Sequence, residues 1–564
     1  MPTLALLPLD DRPPNVEFPA MLARAAGLTP LTPPKSWLGT PWRGGDIPQL
    51  REWLLTEAVG ADALVIALDT LGYGGLVNSR RSSDAADTVL ARLNCLRELK
   101  HLNPDLTILA YSVLMRISRH DSAEEEKGYW ASYGAKLFRI SYLEDKLSMM
   151  AGTADDEEEL MRLSAQVPPE ITGNYLQGRE RNHAVNQTMI RWTADGLFDY
   201  LVIPQDDTVE FGWNIAERRR LLQLVRQLDV ADRVSIYPGT DETDMLLVAR
   251  YAAEQANVRP RVWPRYSTVR AGQVITAYED RPMEEMIKAH LGPLNGSLAA
   301  TPSDAHICLY VNTPAQTQGD GPDQYPLMLG HDDMYDLTIA AREAIENCLM
   351  QPHLQTTLRE LNAVERDVHE FARSLAADMA AGRLCAVADV AFVNGADITL
   401  AAALTRTVDI AQLGAYAGWN TAGNTLGTTL AHSVIRSLQL RDGATADQLA
   451  AHIAFLFLRW VDDYLYQALI RTETALTLLQ DLGAEPTLQA LGPHHRPVAD
   501  IVAERLTAAA AELAAAHFQG QSIRAGQTPF IVQQIGIHDA FLPWRRLFEV
   551  GFSVTLQTNE ADQP

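Results

Sequence analysis

The sequence predicts an α/β protein. The expected architecture is a (β/α)8-like barrel, regular, distorted or split into two α/β parts, with a mostly helical C-terminal region. Three observations predict it. Short apolar runs recur along the chain, each bounded by Gly, Pro or Asp. These runs are continuous rather than alternating, as in strands covered on both faces. Helical stretches separate most of them, so the strands pair in parallel through right-handed crossovers.

In chain order the expected strands are Leu4–Leu9, Ala63–Leu68, Leu106–Ser112, Tyr200–Pro204, Arg233–Tyr237, Val262–Tyr266, Ile307–Val311, Val387–Val393 and Leu413–Ala417. Such a series suits a (β/α)8 barrel, or two consecutive doubly wound sheets. A helical insertion at 120–190 separates the third strand from the fourth. It opens with the charged Ser122–Lys127, read as a helix start, and continues through Asp155–Arg162, whose acidic run is a solvated helix face capping the sheet. Beyond Leu430 the strand signal fades. Ala446–Leu482 and Ala499–Phe518 are Ala/Leu-rich and periodic, and the aromatic-rich Phe541–Phe552 is expected to pack back on the body.

At 564 residues the chain exceeds one hydrophobic core. The expected division is an N-terminal α/β part at 1–290, a second α/β part at 291–430 that completes the barrel or forms its own sheet, and a mainly helical region at 431–564.

The formal balance of 47 basic against 71 acidic residues gives a net charge of −24. Such a charge repels phosphate backbones and anionic lipid, so nucleic acid and membrane surfaces are poor partners. The N-terminus lacks a basic segment, and its apolar stretch breaks at Asp10, so it reads as the first strand and not as a signal peptide. No apolar run approaches the roughly 20 residues of a membrane span. Cys95, Cys308, Cys348 and Cys385 lie far apart with no metal-ligand spacing, the pattern of reduced, buried thiols in a cytoplasmic protein.

The chemistry stands at the strand ends, where parallel sheets and barrels bind ligands. The first strand ends in Asp10, Asp11, Arg12 and Asn15. The second ends in Asp69 and Gly72-Tyr73-Gly74-Gly75, followed by Asn78, Arg80 and Arg81. The third leads to Arg116 and Arg119. The fourth ends in Asp206-Asp207 and the fifth in Asp241, Glu242 and Asp244. Asn312 and Asn394 follow later strands, and Trp419, Asn420 and Asn424 follow the last. An Asp after a strand is commonly a helix cap, and Asn or Gly there is ordinary turn chemistry. Asp397, before an apolar helix, reads as such a cap. Adjacent acid pairs exceed what one cap requires, because confined carboxylates raise each other's pKa values.

Glycoside hydrolysis is the first reading, with Asp206 and Asp207 as the catalytic carboxylates. Asp10, Asp11, Arg12, Asp69, Arg80, Arg116, Asp241, Glu242, Asn312, Trp419, Asn420 and Asn424 would bind the substrate, a small molecule or oligosaccharide. Guanidinium and amide groups suit hydroxyls, and Trp213, Trp263 or Trp419 suits a sugar ring. No cofactor is needed. In the alternative reading the same oxygens, joined by His331-Asp332-Asp333 or His120-Asp121, hold Mg²⁺ or Mn²⁺ for phosphoryl or amide hydrolysis. A third reading is a non-catalytic sugar- or metabolite-binding protein. Self-association into a homo-oligomer stays open. The Gly72–Gly75 run lacks the GxGxxG spacing and the Walker A Lys, and no GxSxG elbow is present.

The same strand ends resemble DUF4127, an uncharacterised bacterial family. Its likeness is carried by LLPLDDRP at Leu6–Pro13, LDTLGYGGLVNSR at Leu68–Arg80, IPQDDT at Ile203–Thr208, YPGTDETD at Tyr237–Asp244, VNTP at Val311–Pro314 and YAGWNTAGNTLGT at Tyr416–Thr428. It covers almost the whole chain and implies no particular activity. In site pattern alone, Asp206-Asp207 and Trp419-Asn420…Asn424 are similar to the O-GlcNAcase-like β-N-acetylglucosaminidases, which are barrel enzymes. That similarity implies Asp206 orienting the acetamido group, Asp207 as general acid/base, and Asn420 and Asn424 on the sugar. The chain departs from it after Trp419-Asn420, where the apolar-Pro pattern is missing, and in the loop after the first strand.

Overall fold

The computed structural model describes residues 1–314, 318–324, 366–484, 490–525 and 528–560. The chain is a mixed α/β protein with parallel sheets. It divides into two compact units. The first comprises Met1–Ala20, Leu28–Leu247 and Tyr278–Arg281; the second comprises Met21–Gly27, Val248–Ala277 and Pro282–Pro564.

The first unit is built on β1 (Thr3–Leu7), β2 (Thr29–Leu31), β3 (Ala63–Ala67), β4 (Thr107–Tyr111), β5 (Tyr200–Gln205) and β6 (Val234–Pro238). All pair in parallel, in the order β2-β1-β3-β4-β5-β6. Every residue of β3 and β5 is buried, which accounts for their unbroken apolar runs. The core beneath is formed by Leu64, Ile66, Ile108, Leu201 and Ile203 with the flanking Trp53, Leu96 and Phe198.

Three helices, Trp130–Ser148, Ala154–Ser164 and Pro169–Ala194, fill the insertion between β4 and β5. Asp155, Glu157 and Glu158 are exposed, as expected of a solvated face. Asp156 instead closes a capping box with Thr153 and is buried. Residues 121–129 form no helix, because their acidic side chains turn toward neighbouring guanidinium groups.

The second unit is built on β7 (Arg261–Tyr266), β8 (Ser297–Leu298), β9 (Ile307–Asn312), β11 (Cys385–Asp389) and β13 (Ala415–Ala417). Its parallel order is β13-β11-β9-β7-β8. Two short strands, β10 (Gly319–Asp320) and β12 (Phe392–Val393), pair separately. The helices Ala422–Asp442, Ala446–Arg459 and His495–His517 give the helical C-terminal region. A π-helix at Trp460–Ile470 interrupts it.

Three antiparallel strands then follow: β14 (Ser522–Ala525), β15 (Thr528–Phe541) and β16 (Gly551–Glu560). The sequence pattern hides β15. Phe530 and Val532 are buried, and so are Ile535 and Ile537, but a register shift between Val532 and Gln534 breaks the alternation.

Each parallel sheet steps back across its first strand. β2 lies on one side of β1 and β3 on the other; β8 lies on one side of β7 and β9 on the other. This is the 2-1-3-4-5 order of doubly wound sheets, whose ligands lie at the carboxyl ends of the strands beside the reversal. No ladder among the described strands closes either sheet into a ring.

Candidate functional site

In the first unit the loops after β1 and β6 meet around one guanidinium. Arg12 folds back on Asp10 with Nη2–Oδ2 at 2.7 Å and reaches Asp241, with Nη2–Oδ1 at 2.7 Å and Nη1–Oδ2 at 3.3 Å. The Asn15 amide donates to Asp10 at 2.9 Å and to Asp241 at 3.4 Å. Tyr111, the last residue of β4, donates its hydroxyl to Asp244 at 2.9 Å. All six side chains are buried. Burial holds the Asp244 carboxyl well above its ordinary range, and the negative charges of Asp10, Asp241 and Glu242 add to the rise. Glu242 is fully buried and folds against its own loop. A Cβ on Gly239, whose φ is +132°, would lie 2.2 Å from Glu242 Oε1.

The short helix Leu68–Tyr73 that follows β3 carries Asp69 and leads into the Gly72–Gly75 run. Asp69 is buried, accepts the Val113 amide at 2.8 Å, and is pushed up to about 7 by burial. The Gly72–Gly75 run serves close backbone packing: Gly45 N–H donates to the Gly74 carbonyl at 2.8 Å, and Gly74 has φ +90°.

Arg80 and Arg116 form the centre of an ion network at the ends of β3, β4 and β5. Arg80 donates to Asp206 at 2.5 Å and to Glu125 at 2.9 Å, and lies 3.8 Å from Glu126. Arg116 donates to Asp207 at 3.2 Å, to Glu125 at 3.0 Å and to Glu126 at 3.2 Å. One Glu125 oxygen thus bridges both cations. Asp207 is the most exposed of these side chains, at 28% against 12% for Asp206. Loss of solvent on its remaining sides, then the adjacent Asp206, raises its carboxyl above the usual range. Its backbone is left-handed, with φ +38°.

The helical insertion fixes this network from behind. Arg179, 1% exposed, donates to the carbonyls of Met115 and Arg116 at 3.0 Å each. It is itself held by both oxygens of Glu217, at 2.9 and 2.6 Å. Arg81 binds the carbonyls of Ala123, Glu124 and Glu126, which anchors the loop bearing Glu125 and Glu126.

The second unit carries a separate set. Asn312, ending β9, donates to Asp389 at 2.9 Å and to Asp397 at 3.0 Å. Arg366 pairs with Asp397. Asp397 is also the expected cap, accepting the Thr399 amide at 3.1 Å at the start of the helix Ile398–Thr407. Burial, then the Asp397 charge, pushes the Asp389 carboxyl up to about 7. Asp463, in the first turn of the π-helix, accepts the Gly418 amide and the Arg459 guanidinium, each at 2.6 Å, and burial pushes it up to about 8.

Trp419 is only 5% exposed, with the Arg459 guanidinium 5.4 Å from its ring centre, so that the ring lies inside rather than on an open platform. Asn424 sits buried in the first turn of the following helix. Asn420 turns the chain with φ +52° and accepts the Asn394 amide through its carbonyl.

The expected residues therefore fall into two sets. Asp10, Arg12, Asp69, Arg80, Arg116, Asp206, Asp207, Asp241 and Glu242 belong to the first unit, with half-buried Asp11, whose amide donates to the Gly39 carbonyl. Asn312, Trp419, Asn420 and Asn424 belong to the second. Trp213 starts a helix and donates its indole N–H to Glu144; Trp263 is half-buried against the core. Asp121 accepts the Ala135 amide at the exposed start of the insertion. His331, Asp332 and Asp333 lie outside the described residues.

Sequence reasoning missed Glu125, Glu126, Arg179, Glu217, Asp389 and Asp463 as site residues. Only Asp389 carried the strand-end signal, hidden within an expected strand that runs on to Val393. Among the described residues, no group of three or more His, Cys, Asp or Glu is arranged to hold a metal ion.

Comparison with curated proteins and with solved structures gave no match. The sequence model of one family spans residues 4–553, nearly the whole chain, including every strand-end loop described above. The chain belongs to that family, DUF4127, described as proteins of unknown function.

Proposed function

We propose that the chain is a hydrolase acting on a carbohydrate, a glycoside hydrolase whose catalytic carboxylates are Asp206 and Asp207. One observation carries this reading. Two adjacent carboxyls at the end of a buried strand are placed in unequal surroundings, Asp206 against Arg80 and Asp207 partly open with its carboxyl held above the usual range. Unequal carboxyls are what acid/base work on a glycosidic bond requires. Asp207 donates its proton to the leaving oxygen. Arg116, at 3.2 Å, then balances the carboxylate left behind. Asp206, fixed by Arg80, supplies the standing negative charge beside the reacting centre.

Asp206, Asp207, Glu125 and Glu126 are paired with Arg80 and Arg116, and the charges of Arg81 and Arg119 also act on them, so acid and guanidinium nearly balance and no surplus charge favours an ionic substrate. The same pairing weighs against Mg²⁺ or Mn²⁺ at these carboxylates, because guanidinium N–H groups already take the oxygens a cation would need.

A screen of chromogenic glycosides, run with and without EDTA, tests the reading. Turnover that survives EDTA and disappears in Asp207→Asn is the expected result. Turnover lost to EDTA and restored by Mg²⁺ overturns it in favour of a metal hydrolase. Tight sugar binding without product overturns it in favour of a binding protein.

A further inference from the structure

Two of the four cysteines, scattered in the sequence, become neighbours in the second unit. Cys308 lies at the start of β9 and Cys385 at the start of β11, and the parallel register pairs them directly. Register partners project from the same face of a sheet. Both are 2% exposed and both are free thiols, and the Cys385 thiol donates to the Arg383 carbonyl at 3.7 Å. Adjacent strands lie about 4.8 Å apart, inside the roughly 4.4–6.8 Å that a disulfide spans between Cα atoms.

We propose that Cys308 and Cys385 are a redox modification site, a buried dithiol that closes reversibly to a cross-strand disulfide under peroxide. The neighbouring Cys385 holds the pKa of the Cys308 thiol below its ordinary value, which makes Cys308 the attacking sulfur. Its Sγ takes one oxygen from hydrogen peroxide as the O–O bond breaks, giving a sulfenic acid and hydroxide. The Cys385 sulfur then attacks that sulfur. The S–S bond forms, the S–O bond breaks, and the thiol proton leaves with the departing oxygen. Two thiols and one peroxide thus give one disulfide and two waters.

His306 and Arg383, each two residues before its cysteine, are part-exposed, so the pair lies near the end of its strands where the chain meets solvent. The strand pair that would be tied at this end carries Asn312 and Asp389, also register partners, at the other. The disulfide would therefore fix the spacing of the strands that hold that polar network.

The folded full chain, freed of reductant, is treated with hydrogen peroxide and read by intact mass and peptide mapping. The expected result is loss of two hydrogens, a peptide linking Cys308 to Cys385, and reversal by dithiothreitol. Cys385→Ser should stop at a dimedone-trappable sulfenic acid on Cys308, and Cys308→Ser should form no link. A wild-type chain that keeps both thiols while Cys95 oxidises overturns the proposal. So does accumulation of sulfinic acid at Cys308 without the link. The wild-type readings decide the matter even where a variant fails to fold.

Discussion

Arg12 and Asp241 are 229 residues apart in sequence and 2.7 Å apart in space. The strands they follow, β1 and β6, are separated in the sheet by β3, β4 and β5. Flat neighbours at about 4.8 Å would leave the two ends far beyond the reach of one side chain. Loops from both flanks therefore lean over the C-terminal edge of this sheet, and the Arg12 guanidinium clasps them. Its charge is shared with Asp10, so one cation serves two buried carboxylates.

Removing that cation takes the guanidinium from two buried acids, to which the Asn15 amide still donates. Arg12→Met should lower stability by about 3–5 kcal/mol, the usual result of breaking a buried ion pair from one side. Urea unfolding measures it. Adding Asp241→Leu should cost less than the sum of the single variants, since the second change removes one stranded charge. Additive losses would mean that the two groups are not coupled.

Gly239 is needed for a different reason. Its φ of +132° is unfavourable to other residues, and a Cβ would stand 2.2 Å from Glu242 Oε1. Gly239→Ala should destabilise by about 1–3 kcal/mol from backbone strain alone, with the clash in addition. In a Glu242→Ala background only the backbone part should remain. An equal cost in both backgrounds removes the clash from the account.

Asp389 predicts a pH dependence. Burial raises its folded pKa to about 7, whereas the unfolded carboxyl titrates near about 3.9. The folded state then holds a proton that the unfolded state releases. This contribution is fully present below pH about 4 and is lost as pH rises to about 7, with a slope of at most about 1.4 kcal/mol per pH unit. Asp69 and Asp463 shift in the same direction, so the wild-type curve alone does not isolate Asp389. The difference from Asp389→Asn does, because an amide cannot ionise. Parallel urea stability curves for the two proteins from pH 5 to 8 would refute the assignment.

What the sequence made legible follows from how each residue is carried. Asp10, Arg12, Asp206 and Asp241 follow continuous apolar runs, so strand and strand-end loop announce each other. Glu125 and Glu126 lie in the charged run Ser122–Lys127, which reads as a helix start. They are a loop because Arg80, Arg81 and Arg116, distant in sequence, take their side chains and carbonyls. Arg179 and Glu217 sit within helices, where nothing local distinguishes a buried ion pair from an exposed one. The grouping of strands into two sheets is likewise absent from local patterns, since each run reads the same whichever neighbour it pairs with.

The last prediction separates mechanism from scaffold within one network. Arg80 is 3% exposed and binds both Asp206 and Glu125, so Arg80→Met should cost about 3–5 kcal/mol. Asp207 is more open, and Arg116 keeps Glu125 and Glu126 when it is neutralised. Asp207→Asn should then change stability by no more than about 1–2 kcal/mol while abolishing turnover of any glycoside the wild type cleaves. Thermal unfolding and the glycoside assay, run on the same preparations, give both numbers. An Asp207→Asn chain that unfolds places the residue in the scaffold. One that turns over normally removes it from the chemistry, and the acid must then be sought among the other carboxyls of the network.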